Sequence, residues 1–569
     1  AMSSYSRPFF LSRTIARRVR WSSAMPREDH VRRSSASGFR GIVVLTSDAQ
    51  LQMSAALVPG GHLANATILR LLPFGNARRD QLVDRWLQAQ PEQPHKSTAA
   101  YARAKQARLT TLTNVVGKNL VPAFPVVLIS LLTASDHNKQ LSTNKSSFSY
   151  YYDLLIRQQL THGRNSQQEI NVKFNLLSFI AYALQDRSPP SASESELREI
   201  VRQFEQARML ELNYADILAD FEQSKVLVRE EHKYQFKDEW ARFYFTARQL
   251  ADLLQKKSGQ QEARLRIEAL LEKLHTDDGS NILLFLAYFS KDEFLFDSAR
   301  ALADGMYREN SEATISYDKS LSHTPDLQEM LDNLVEEKAL EADHDEAVEN
   351  DQKAAELNSE LRRIQEISRE FFTSVRATQL LGQLLKNNPA GIEGDEKLRI
   401  ARSMYGLSLR TLSELQRLTD STKEALLAAF VEPMLEQGRT PSLEKLKKHA
   451  LESFHFFRLL AANAAVRRVA WGLSDPSLVP LADRLADEVD TDASRLIAVG
   501  VKLNLLSPDF PTQPVLNAAE QVQDNPLGKT ILQRLVATRL YLYDTARQEK
   551  DRICAKLEIN PKRIPRTSR

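Results

Sequence analysis

Cysteine is nearly absent from this 569-residue sequence: Cys554 stands alone. A single thiol excludes a disulfide framework, a cysteine-rich zinc module and an iron–sulfur cluster, and it suits a reducing compartment. Glycine is scarce as well. The chain has 18, roughly half the usual frequency of about 7%, which argues against glycine-turned β-sandwiches and for helix. No apolar run reaches the ~20 residues a bilayer needs; the longest, 120–134, is interrupted by Pro122 and Pro125. No membrane span is expected. The net charge of +3 is too small to name a partner. The length itself suggests about three or four domains at roughly 150 residues each.

Catalytic motifs are missing too. Gly528-Lys529-Thr530 supplies the tail of a phosphate-binding loop, Gly-x-x-x-x-Gly-Lys-[Ser/Thr], but Gln523 stands where the first glycine belongs and no strand signal precedes it. Gly117-Lys118-Asn119 lacks both the upstream glycine and the hydroxyl. There is no His-Glu-x-x-His and no Gly-x-Ser-x-Gly, and His449 and His455 are spaced for different helix faces. The sequence offers no catalytic centre carried wholly by this chain, and no metal.

What is present is charge segregation. The first 40 residues hold nine arginines and no lysine, and the first acid is Glu28. With serines interleaved, the first 27 residues have the composition of an organelle transit peptide. A disordered lead-in and a basic arm for nucleic acid or anionic lipid fit residues 1–37 as well. Residues 326–356 are the opposite, with twelve acids against Lys338 and Lys353. Leu327, Met330, Leu331, Leu334 and Val335 recur there at near-helical spacing. His344 among those acids reads as part of a solvated acidic helix or linker rather than a metal ligand.

Ile42 to Leu45, fenced by Gly41 and Ser47-Asp48, predicts a buried strand, and 66–72 a second. Asn76 is a candidate helix cap, with Leu82, Val83 and Trp86 on one face. Helical patterns follow over 97–134, 148–160, 170–185, 193–208 and 214–222. Val226-Leu227-Val228 and Tyr234-Gln235-Phe236 then read as a two-stranded wing. Three helices followed by a small hairpin is the order of a winged-helix module. Beyond Glu239 the pattern is helical throughout, with no fixed repeat. Trp240, Phe243, Tyr244 and Phe245 read as core rather than as a base-stacking platform. Arg78, Arg79 and Arg85 either form a basic contact between subunits or coat a helix.

Several segments carry a family resemblance. Leu69 to Gly75 followed by Gln81 to Trp86 is similar to the exit from the ATPase core of STAND-class (NACHT-like) P-loop NTPases. Gly117 to Leu128 resembles the helical-domain stretch whose proline packs on adenine in that family. Tyr234 to Ala247 resembles the winged-helix signature, and Thr378 to Gly391, 397–410 and 529–559 resemble the C-terminal half of a bacterial subgroup. The resemblance implies a mainly α chain with a remnant α/β core of a P-loop NTPase. Its divisions would be a basic arm (1–37), the core remnant (38–75), a helical domain (76–145), a winged-helix domain (146–258), a helical connector (259–325), an acidic helix or linker (326–372) and a C-terminal helical array (373–569). Pro125 would contact adenine and Lys118 a phosphate of bound ATP or ADP. The array would take protein partners, a homo-oligomer among the assemblies allowed, in a bacterial cytoplasm.

Two departures qualify the resemblance. The family's Walker A and Walker B segments are not in the sequence. Asp48 stands where many relatives have a phosphate-facing arginine, and Asp238 where they have a histidine, so neither transfers as a nucleotide ligand. Two readings stay open: the regulatory and sensing part of a STAND-type switch in antiviral defence or signalling, not hydrolysing ATP by itself, or a nucleotide-independent helical scaffold or winged-helix nucleic-acid adaptor.

Overall fold

The computed structural model describes residues 74, 76–90, helical positions between 100 and 112, 125–137, 148–160, 167–315, 369–436, 443–505, 510–542 and 545–560. The predicted strands at 42–45 and 66–72, the arginine-rich arm, the acidic segment 326–356, Asp48 and Lys118 lie outside these residues. The described part is mainly α-helical, and its only strands lie between residues 191 and 236.

The first helices are α1 (Asn76–Gln88), α2 (Pro125–His137), α3 (Phe148–Leu160) and α4 (Gln167–Leu184). On α1 the face carrying Val83 and Leu87 is buried. Lys105 crosses to it and bridges Asp80 and Asp84 at 2.9 and 3.1 Å. Arg78 and Arg85 are exposed and Arg79 is buried.

The chain then forms β1 (Ser191–Ser193), α5 (Glu194–Arg208), α6 (Tyr214–Gln223), β2 (Leu227–Glu230) and β3 (Lys233–Phe236). The sheet is antiparallel in the order β1-β3-β2. The sequence pattern announces the β2–β3 hairpin but gives no sign of β1. Ser-Ala-Ser has no alternation, and it becomes a strand because β3 offers it a free edge, with Ala192 opposite Tyr234. A capping box fixes where β1 ends and α5 begins. The Ser193 side chain accepts from the Glu196 N–H, and the Glu196 carboxylate accepts the Ser193 N–H at 2.8 Å.

The two-residue turn of the hairpin is Glu231-His232, with φ of 45° and 67°. A turn whose twist suits a hairpin needs both residues in this left-handed region, where Asn-Gly is at ease and bulkier side chains are strained. The double substitution Glu231→Asn, His232→Gly is therefore expected to raise stability by about 1 kcal/mol, read as a later urea midpoint with an unchanged slope.

Helix α7 (Glu239–Gln255) is the spine of this part of the molecule, packed between α4 and α9 (Asp277–Phe289). Trp240, Phe243, Tyr244 and Phe245 are all core residues, between 0% and 7% exposed. Their rings meet edge to face: Trp240 with Tyr152 at 5.2 Å, Phe245 with Phe174 at 5.5 Å, and Tyr244 with Phe285 at 5.7 Å. The Tyr244 hydroxyl finds its partner in Asp153 at 2.7 Å.

Packing continues without a break into the C-terminal helices. These are α8 (Gln260–Glu272) and α10 (Glu293–Gly305), then α11 (Arg369–Asn387), α12 (Gly394–Glu436), α13 (Leu443–Leu473), α14 (Val479–Val489), α15 (Asp492–Asn504), α16 (Thr512–Gln521), α17 (Pro526–Leu542) and α18 (Arg547–Lys556). Helix α9 packs on α11, α11 on α12 and α13, α13 on α15, and α15 on α17. Where α11 crosses α13, Gly382 faces Gly472 so closely that a Cβ on Gly382 would lie 2.7 Å from the Gly472 Cα.

Candidate functional site

The described residues place several sequence candidates in plain structural roles. Pro125 is the first residue of α2, a position that suits its fixed φ and missing N–H. Gly528, Lys529 and Thr530 lie in the first turn of α17 and spend their polar groups internally. The Gly528 N–H donates to Asn525 Oδ1 at 3.0 Å, Lys529 pairs with Glu558 at 2.8 Å, and Thr530 donates to the Pro526 carbonyl at 2.9 Å. No phosphate cradle forms there. Cys554 is buried, and burial pushes its thiol up.

Asp238 caps the N-terminus of α7 in extended geometry, yet its side chain makes no cap hydrogen bond. Burial pushes its carboxyl above the usual value, with Lys237 pulling the other way. The folded state thus holds this proton more tightly than the unfolded chain, so the residue opposes folding increasingly as pH rises from the unfolded value toward its folded-state pKa, and fully above it. Asp238→Asn is expected to raise the melting temperature at pH 7, by under ~1 kcal/mol in stability. The gain should shrink as pH falls toward the unfolded value of about 4; paired melts across that range measure it.

A polar cleft opens further along the same helix. It encloses about 200 Å³ and is lined by Asn175 and Ser178 of α4, Arg208 at the end of α5, Arg248 to Gln255 on one face of α7, and Phe289 at the end of α9. Helical spacing explains the α7 wall, because Arg248, Asp252 and Gln255 follow one another at four and three residues. Arg208 sits 4.3 Å from the Phe204 ring centroid, and Arg248 sits 5.4 Å from that of Phe174. Neither guanidinium meets a carboxylate among the described residues. Gln249 is only 6% exposed as a residue and lines the cleft wall. The one carboxylate in the lining, Asp252, is held by Lys256.

No family model matches this sequence, and no curated protein does either.

The chemistry of the cleft is therefore read from its lining alone. It presents cationic and amide donors, groups that can hold an anionic or polar ligand. Among the described residues no cluster of three or more His, Cys, Asp or Glu forms a metal site, and no helix is long and apolar enough to cross a membrane. Sequence reasoning missed the cleft because Asn175, Arg208, Arg248 and Phe289 come from four helices.

Proposed function

We propose that this chain is the regulatory and sensing portion of a STAND-type NTPase switch, working in bacterial antiviral defence or signalling and not hydrolysing ATP by itself. The observation that carries the reading is the succession α4-β1-α5-α6-β2-β3 with β3 central, followed at once by α7 and a continuous helical array. We take this unit as the winged-helix domain, 76–145 as the helical domain with Pro125 and Lys118 toward ATP or ADP, and 373–569 as the sensor. In such a switch the nucleotide biases how the winged helix packs, and a sensed partner shifts the population toward an assembling state.

Charge separates this reading from a nucleic-acid adaptor. In a DNA-binding winged helix the third helix enters the groove and needs a basic face. Here that helix is α6, which carries Asp216, Asp220 and Glu222 and no lysine or arginine. An acidic recognition helix repels phosphates, so protein contacts suit it better. On α13, Phe457 and Leu460 are 44% and 38% exposed, and Trp471 38%. Phe457 and Leu460 share one stripe with the exposed Arg467, and Trp471 ends it with the Lys386 ammonium 4.3 Å from its ring centroid; Arg467 and Arg468 meet no carboxylate among the described residues. That stripe suits an acidic amphipathic segment of a partner protein.

The test is the coding sequence upstream of residue 1. An in-frame Gly-x-x-x-x-Gly-Lys-[Ser/Thr] followed by an acidic Walker B strand is the expected result. A clean reading frame without them would leave the helical-scaffold alternative.

A further inference from the structure

We propose that the cleft between α4, α7 and the ends of α5 and α9 binds a phosphate group, as the free ion or as the end of a small phosphate monoester. The proposal does not rest on the switch reading. The cleft begins ten residues beyond Asp238 on α7, about 15 Å along the helix axis, so it is separate from the position the family resemblance would aim at a nucleotide.

The Arg208 and Arg248 guanidinium carbons lie 4.3 and 5.4 Å from the ring centroids of Phe204 and Phe174. A cation–π contact of this kind leaves a guanidinium its N–H donors, whose fork matches a phosphate's paired oxygens. With no carboxylate taking either fork among the described residues, both are available. Gln249 of the cleft wall and Asn175 at the exposed mouth each add an amide. Ser178 does not join them as a donor, since its hydroxyl donates to the Phe174 carbonyl at 2.8 Å.

Two features oppose an anion, and both are small. Asp252 is neutralised by Lys256. The C-terminus of α5 brings at most about half a negative charge, and the Glu205 and Gln206 carbonyls there already accept from the N–H groups of Leu210 and Met209. Two full positive charges outweigh these. Size then narrows the class. About 200 Å³ is below the roughly 300–1,000 Å³ that encloses a drug-sized ligand, so the cleft takes a phosphate with a few waters and any larger part of a ligand would lie outside it.

The experiment is calorimetric titration of the full chain with inorganic phosphate, glycerol 3-phosphate and ATP, with succinate as the control anion at matched ionic strength. Saturable phosphate binding is expected. Arg208→Met and Arg248→Met, which keep the stem on its ring, should each weaken it about ten- to a hundredfold, the usual worth of a charge-assisted hydrogen bond. Gln249→Glu should abolish it. Because that substitution sits in the core, Asn175→Asp at the mouth serves as the second variant, with weaker binding and an unchanged melting temperature expected. Equal affinity for phosphate and glycerol 3-phosphate identifies the free ion as ligand, and tighter monoester binding identifies an ester. The proposal is overturned by absent phosphate binding, by succinate binding as well as phosphate, or by full affinity in both arginine variants. Binding of ATP without any response to phosphate also overturns it, while leaving the switch reading intact.

Discussion

Gly279→Ala is expected to be the most damaging single-methyl change in the described part of the molecule. Glycine inside a helix normally costs stability, and alanine there gains roughly 0.5–1 kcal/mol. At Gly279 the sign reverses. A Cβ would lie 2.3 Å from the Lys273 carbonyl oxygen, 2.7 Å from its carbon and 2.8 Å from the Leu270 oxygen. All three are backbone atoms of the preceding turn and the end of α8, so no side chain can swing aside. The first turn of α9 would have to move, and Asp277 and Asp278 move with it. Those carboxylates hold Arg376 of α11 at 2.6 Å and Arg242 of α7 at 2.9 Å. Overpacking usually costs about 1–3 kcal/mol; with two ion pairs disturbed as well, a loss of about 4 kcal/mol is expected. Urea unfolding measures it. Gly305, at the end of α10, is the control, because a Cβ there would meet nothing within 4 Å. Alanine at that position should leave stability unchanged or slightly raised.

Glycine scarcity made the helical character of the chain legible, but not which glycines matter. Local patterns carried well where one element decides the outcome. The periodicity over 148–160 coincides with α3, and the expected helices at 193–208 and 214–222 differ from α5 and α6 by one residue at an end. The aromatic run at 240–245 lies in the core as its spacing requires. What failed to show is what depends on a distant partner. Strand β1 exists because β3 has an edge to fill, and the three residues Ser191 to Ser193 carry no signal of their own. The cleft is the same case. Arg208 reads as an ordinary basic residue in a last helical turn, which the helix dipole alone would favour, and Arg248 as one polar position on an amphipathic helix. Only the crossing of α4, α5, α7 and α9 brings them to one space without carboxylate partners among the described residues. Pro125 illustrates the converse. Its local role as a helix-starting proline is complete in itself, so a ligand contact there is an addition and not something the backbone demands.

Asp278→Ala is expected to cost more than Arg242→Met, although both delete the same ion pair. Arg242 is 3% exposed. Its two terminal nitrogens grip Asp278 at 2.9 and 3.1 Å, and one also donates to the Gln185 side chain at 2.8 Å. Gln185 donates in turn to Asp278 at 3.2 Å, so the three side chains lock α4, α7 and α9 together. The burial is one-sided, because the Asp278 side chain is 44% exposed. Removing Asp278 leaves a guanidinium in the core with one neutral acceptor, and an uncompensated buried charge costs about 3–5 kcal/mol. Partial solvent access at the aspartate's position lowers this to about 3 kcal/mol. Removing Arg242 leaves a carboxylate that water can reach, and methionine refills much of the volume, so about 1 kcal/mol is expected. A double-mutant cycle with both substitutions measures the asymmetry, and the double variant should resemble Arg242→Met rather than the sum of the two. Equal losses from the two single variants would mean that the pair is solvated on both sides and that packing of α7 between α4 and α9, not this lock, holds the junction between the sheet-bearing unit and the helical array.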